Sequence, residues 1–97
     1  MATFVSLVSF TNRGEEEIQQ TVDRANVFRG EAEKVGAKVK EIYWTLGNYD
    51  GVLVFDAPDD QSAASLMLSL GSKGNVRTQT LVAYDQDQIK SILGRVS

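Results

Sequence analysis

Lys38-Val39-Lys40-Glu41-Ile42-Tyr43-Trp44-Thr45-Leu46, then Gly47-Asn48-Tyr49-Asp50-Gly51, then Val52-Leu53-Val54-Phe55-Asp56-Ala57: two strand-like runs across a short turn decide how this chain folds. In the first run Ile42, Trp44 and Leu46 point one way and Glu41, Tyr43 and Thr45 the other, the period-two alternation of a strand with one covered face. In the second, Val52-Leu53-Val54-Phe55 is apolar on both faces, which suits a central strand. Gly, Asn and Asp are ordinary turn residues because they tolerate the backbone angles a reversal needs. Tyr49 is the exception, and it makes this turn the first place to look for a site.

Working outward, Thr3 to Thr11 is rich in β-branched and aromatic residues and reads as another strand. Asn12 with Glu15 has capping-box spacing and opens a helix, with Glu15, Glu16 and Glu17 at its positive end. Ile18, Val22, Ala25, Phe28, Ala32 and Val35 form its apolar stripe, Gly36 ends it, and Gly30 inside it is expected to permit close packing. Beyond the central pair, Ala57-Pro58-Asp59-Asp60 starts a second helix with Ala63, Leu66, Met67 and Leu70 as its main face, widened by Ala64 and Leu68. Gly71 to Asn75 breaks it, Val76 to Tyr84 is a fourth strand, and Asp85 with Gln88 caps a short tail helix carrying Ile89, Ile92 and Leu93. The order β-α-β-β-α-β is that of an α+β, ferredoxin-like domain over residues 1–97: a four-stranded antiparallel sheet with two helices on one face and a C-terminal tail helix. Its first and third strands should be central, and they are the most apolar.

Composition removes several chemistries. The 97 residues include no cysteine and no histidine, which excludes disulfides, thiolate nucleophiles, a Ser-His-Asp triad and most zinc sites. A formal charge of −3, from 13 acidic against 10 basic residues, argues against a nucleic-acid binder. No leader-like or membrane-spanning stretch stands out, so a cytoplasmic protein is expected. Gly71-Ser72-Lys73-Gly74-Asn75 is no phosphate loop, because it follows a helix and precedes a strand. The Asp59-Asp60 and Asp85/Asp87 pairs read as helix caps, and neither a metal nor a cofactor is expected.

Two helices cover one face of such a sheet, yet the strands are apolar on both, with Val5 and Leu7 set against Phe4, Val8 and Phe10, and Val52 and Val54 against Leu53 and Phe55. Exposure of large apolar residues costs about 1.5–3 kcal/mol each relative to burial. A second copy laid sheet against sheet is the expected cover, giving a homodimer, with higher oligomers open. The competing arrangement is a monomer whose tail helix folds beneath the sheet. The candidate ligand site comprises Trp44 as a stacking wall, Asn48, Tyr49 and Asp50 from the turn, and Arg77 from the start of the last strand. Trp44 also suits core packing, Asn48 and Asp50 suit turn geometry, and Arg77 suits a surface ion pair with Asp50 or Glu41.

Phe28-Arg29, Tyr43-Trp44-Thr45-Leu46-Gly47, Tyr49-Asp50-Gly51, Phe55, Ala57-Pro58-Asp59-Asp60 and Gly74-Asn75-Val76-Arg77-Thr78 together resemble the GYD domain family of small bacterial and archaeal proteins. Here Asn48 stands between Gly47 and the Tyr49-Asp50 pair of the signature. The resemblance implies a dimeric α+β barrel and no assigned activity; the wider superfamily includes cofactor-free monooxygenases, haem enzymes, isomerases and ligand-sensing regulatory domains. Three functions compete: a small-molecule-binding or regulatory module, a cofactor-free monooxygenase- or isomerase-like enzyme with Asp50 as base, and a structural oligomerisation protein.

Overall fold

A computed structural model describes residues 1–97. Its elements are β1 (Ala2–Phe10), α1 (Asn12–Glu16), a 3₁₀ turn (Ile18–Gln20), α2 (Thr21–Lys34), β2 (Lys38–Trp44), β3 (Gly51–Ala57), α3 (Asp60–Ser72), β4 (Val76–Ala83) and α4 (Gln86–Leu93). The four strands form one antiparallel sheet in the order β2-β3-β1-β4, so the two most apolar strands lie in the middle, as expected. Pairing of Phe4 with Phe55 and of Ser6 with Leu53 places these residues on the helix-covered face. There Phe4, Leu53, Phe55 and Ala57 meet Phe28 and Ala32 of α2 and Ala63 and Leu66 of α3 in one buried cluster. The Phe4 and Phe55 rings stack with centroids 5.4 Å apart.

The first helical stretch differs from expectation in three ways. Its cap is Thr11, not Asn12: the Thr11 hydroxyl accepts from Gly14 N–H at 3.2 Å and donates to the Gly74 carbonyl at 2.6 Å. A threonine that ties the helix start to the loop before β4 outcompetes the neighbouring asparagine. The helix then breaks at Glu17. α1 is held against that loop by Gly14, where an added Cβ would come within 2.1 Å of the Asn75 carbonyl oxygen. α2 lies on the sheet instead, and Arg24 donates to the Glu17 and Gly14 carbonyls that the break releases. Consequently Ile18 and Val22 are exposed, while Phe28 and Ala32 are buried. Gly30 faces open space, so close packing is not its reason.

Two further expectations are corrected. β2 stops at Trp44 because Thr45 turns inward, its N–H donating to the Asp50 carbonyl at 2.9 Å and its hydroxyl to the Tyr49 carbonyl at 2.7 Å; Leu46 is therefore fully exposed. A bulge between Val39 and Glu41 lets both Val39 and Ile42 face the helices. Ala64 and Leu68 of α3 are also exposed instead of widening its buried face.

On the far side of the sheet Val5 pairs with Val54 and Leu81, and Leu7 with Val52. These central side chains are half-buried, and Leu81 and Tyr43 beside them are exposed. The tail helix does not cover them: α4 buries none of its residues, and Ile89, Ile92 and Leu93 remain exposed. The molecule is accordingly elongated, 50 × 31 × 18 Å, with a radius of gyration of 14.6 Å, against the roughly 12.5 Å of a compact domain this long. The competing monomer with its tail tucked under the sheet is not what this chain forms.

Candidate functional site

The wedge between α2, the end of α3 and the sheet is incompletely filled. A cavity of about 370 Å³ opens there, lined mainly by apolar groups including Val8, Phe10, Phe28, Ile42, Leu53 and Leu70. This size and character suit a small organic ligand. Trp44 stands at its edge, half-exposed, its indole N–H donating to the Thr21 hydroxyl at the start of α2 at 3.0 Å. Expected as either core or ligand wall, Trp44 bridges sheet to helix where the cavity meets solvent.

Asp50 also lines the cavity, and its position is structural: Oδ2 accepts from Phe10 N–H at 2.8 Å, while its own N–H donates to the Val8 carbonyl at 2.8 Å. The carboxylate thus holds the end of β1 to the turn. Gly51 follows it into β3, where an added Cβ would lie 3.1 Å from the Tyr43 carbonyl oxygen.

The remaining three residues lie elsewhere. Tyr49 reaches across the opposite face, its hydroxyl donating to Gln79 Oε1 at 2.8 Å. Arg77 pairs in register with Ser9 on that same face and forms no ion pair with Asp50 or Glu41. Asn48 is exposed at the turn. The sheet therefore divides the five candidates: Trp44 and Asp50 by the cavity, Tyr49 and Arg77 on the open face, Asn48 at the tip.

Two cavity residues went unnoticed as site candidates. Asn75 lines the space, and its side-chain Oδ1 is buried with no hydrogen-bond partner, a costly state that a bound donor would relieve. Lys73 lines it too and is ion-paired with Glu31 of α2, whose second oxygen Oε2 is buried and unpartnered. The Gly-rich composition of this loop was a legible signal, but it pointed only to the end of a helix.

On the open face the Glu41 carboxylate accepts a hydrogen bond from the Tyr43 hydroxyl and repels its ionised form, raising the Tyr43 pKa. Asp59, the cap of α3, is held below its usual value by the backbone and side-chain hydrogen bonds of Ser62. No group of three or more Asp or Glu side chains is placed to hold a metal ion, and no helix is long and apolar enough to cross a membrane.

Comparison with known proteins extends this picture. The sequence profile of the GYD domain matches residues 4–93. A glutamine synthetase and cystathionine β-lyase binding protein from Thermus thermophilus is 38% identical over 84 residues, covering 86% of this chain and 88% of that protein. Among solved structures, a protein also from Thermus thermophilus superposes with a TM-score of 0.56 at 22% identity over 88% of this chain and 95% of its own. A feast or famine regulatory protein from M. tuberculosis, complexed with L-methionine, gives a TM-score of 0.60 at 16% identity over 89% of this chain, which spans about half that protein's length (52%). At such identities the two structures speak for the ferredoxin-like fold alone.

Proposed function

The chain belongs to the GYD domain family, and from that premise we propose that it is a homodimeric binding module that takes a small molecule between its helices and sheet. The observation that carries this reading is the cavity of about 370 Å³ with the unpartnered Asn75 Oδ1 among its otherwise apolar lining. Trp44 would stack on the ligand at the entrance, and Lys73 with Asp50 would supply the polar rim. The half-covered row Val5, Leu7, Val52 and Val54 would be closed by a second copy. Tyr49 and Arg77 would then lie at the edge of that sheet-to-sheet junction, with Asn48 at the turn beside it.

A thermal-shift screen with aromatic acids, quinones and nucleotides tests the cavity. A ligand at a hundred times its dissociation constant adds about 2.7 kcal/mol of apparent stability. The shift should vanish in Trp44→Ala; a screen without any hit would remove the small-molecule reading.

One observation favours a second reading within the same class. The Thermus relative is described as a binding protein for two metabolic enzymes, so this chain would act on a protein partner, with or without a ligand. Co-sedimentation with purified glutamine synthetase checks this, and free migration of the two proteins would reject it. The enzyme alternative has less support: the carboxylate it would use as a base, Asp50, already holds the Phe10 N–H.

A further inference from the structure

The tail helix is well made but unpartnered. A capping box closes its start: the Asp85 carboxylate accepts from Gln88 N–H at 2.8 Å and Gln88 Oε1 accepts from Asp85 N–H at 2.8 Å. Ile89, Ile92 and Leu93 then share one side of α4, an apolar stripe, and all three are exposed, as is Val96 just beyond the helix. An exposed stripe of this kind marks an interaction surface.

A matching surface exists on the same chain. Between α3 and β4 lies a shallow groove floored by Phe4 and walled by Ala63, Ala64, Met67, Thr80 and Val82, with Asp60 at one end. β4 is an edge strand, so no further strand narrows this groove. Asp60 to Met67 is eight residues of α3 and α4 itself is eight residues long, so each spans roughly 12 Å at 1.5 Å per residue. The two alanines permit a helix axis to approach closely.

The chain's own tail is a poor occupant. β4 ends beside Thr3, at the same end of the sheet where β3 ends and α3 begins. Folded back through the two-residue link Tyr84-Asp85, α4 would run parallel to α3, placing Asp85 and Asp87 against Asp59 and Asp60 with the two positive helix ends together. A helix entering from another molecule can run the other way, bringing Lys90 and Arg95 toward Asp59 and Asp60 with the dipoles opposed. We propose that α4 of one protomer docks antiparallel to α3 in the α3–β4 groove of a second copy, so that the tails are exchanged between protomers.

The chain has no cysteine of its own, which permits a direct test. Ala64→Cys and Ile92→Cys change exposed positions and leave the core untouched. On mild oxidation, an equimolar mixture of the two variants should give a covalent heterodimer at about ten times the yield of either variant alone, because docking holds the two positions within disulfide reach. Ile89→Asp added to the Ile92→Cys chain should abolish the heterodimer while its circular dichroism stays native. No heterodimer from the mixture would overturn the proposal. So would a chain carrying both cysteines that closes an internal disulfide, seen as a monomer two hydrogens lighter, because the tail would then occupy its own groove.

Discussion

Phe55 and Val54 are neighbours in sequence and opposites in environment. Phe55 is wholly buried between sheet and helices, stacked on Phe4, whereas Val54 looks out of the other face and is only half-covered. The same alternation separates Leu53 from Val52 and Phe4 from Val5. One face is completed by the chain itself; the other, nearly as apolar, is only half-covered. The contrast teaches that alternate residues of the same two strands carry a finished core and a half-covered face.

The contrast can be broken from its stronger side first. Phe55→Ala should cost about 3–5 kcal/mol through the cavity it leaves, read as a lower denaturant midpoint that does not depend on protein concentration. Val54→Asp should act differently: if a second copy covers this face, the variant associates more weakly in sedimentation and its melting temperature rises less with concentration. A variant whose association is unchanged would show that this face is not the junction.

Glycines sharpen the comparison within the helical layer. Gly14→Ala should lower stability by about 1–3 kcal/mol, since the new methyl collides with the Asn75 carbonyl that holds one end of the covered face. Gly30→Ala, on the solvent side of α2, should raise stability by up to about 1 kcal/mol. Thermal melts of both variants check the pair; a loss at Gly30 would mean that α2 is covered there too.

The smallest effect concerns acid. Asp59 caps α3 in its charged form, so its pKa is lowered from 3.8 in the folded chain. Its stabilising contribution is therefore complete above that ordinary value and is lost as the pH falls through the lower folded one. Melting temperatures followed from neutral into acid should fall less steeply in Asp59→Asn, whose amide still caps but does not titrate.

Strand number, order and the central pair were legible because alternating burial writes itself into sequence at period two, as in Ile42-Tyr43 and Leu53-Val54-Phe55. The break at Glu17 was not, since it depends on Gly14 meeting Asn75, a contact between distant segments. The bulge that turns Ile42 inward was likewise invisible, because one extra residue leaves the local propensities unchanged. In the candidate site, Trp44 reads in sequence as core or ligand wall and Asp50 as a turn residue or a site group, and neither reading shows that both border one cavity. Their separation from Tyr49 and Arg77 was not legible either: adjacent side chains at a strand entrance go to opposite faces, and sequence proximity hides that.

β1 occupies the middle of the sheet although it is made before both strands that flank it. The Thr3 hydroxyl waits for Asp56, 53 positions later, and the Ser6 hydroxyl for Thr80, 74 positions later. Closure over such separations is slow, because the entropy of long loops is lost before their partners arrive. Translation must therefore pass β4 before β1 is flanked on both sides, and a nascent polypeptide halted short of Val76 bares a hydrogen-bonding margin beside its greasiest residues. Such a truncated product is a natural client for chaperones and a seed for aggregates.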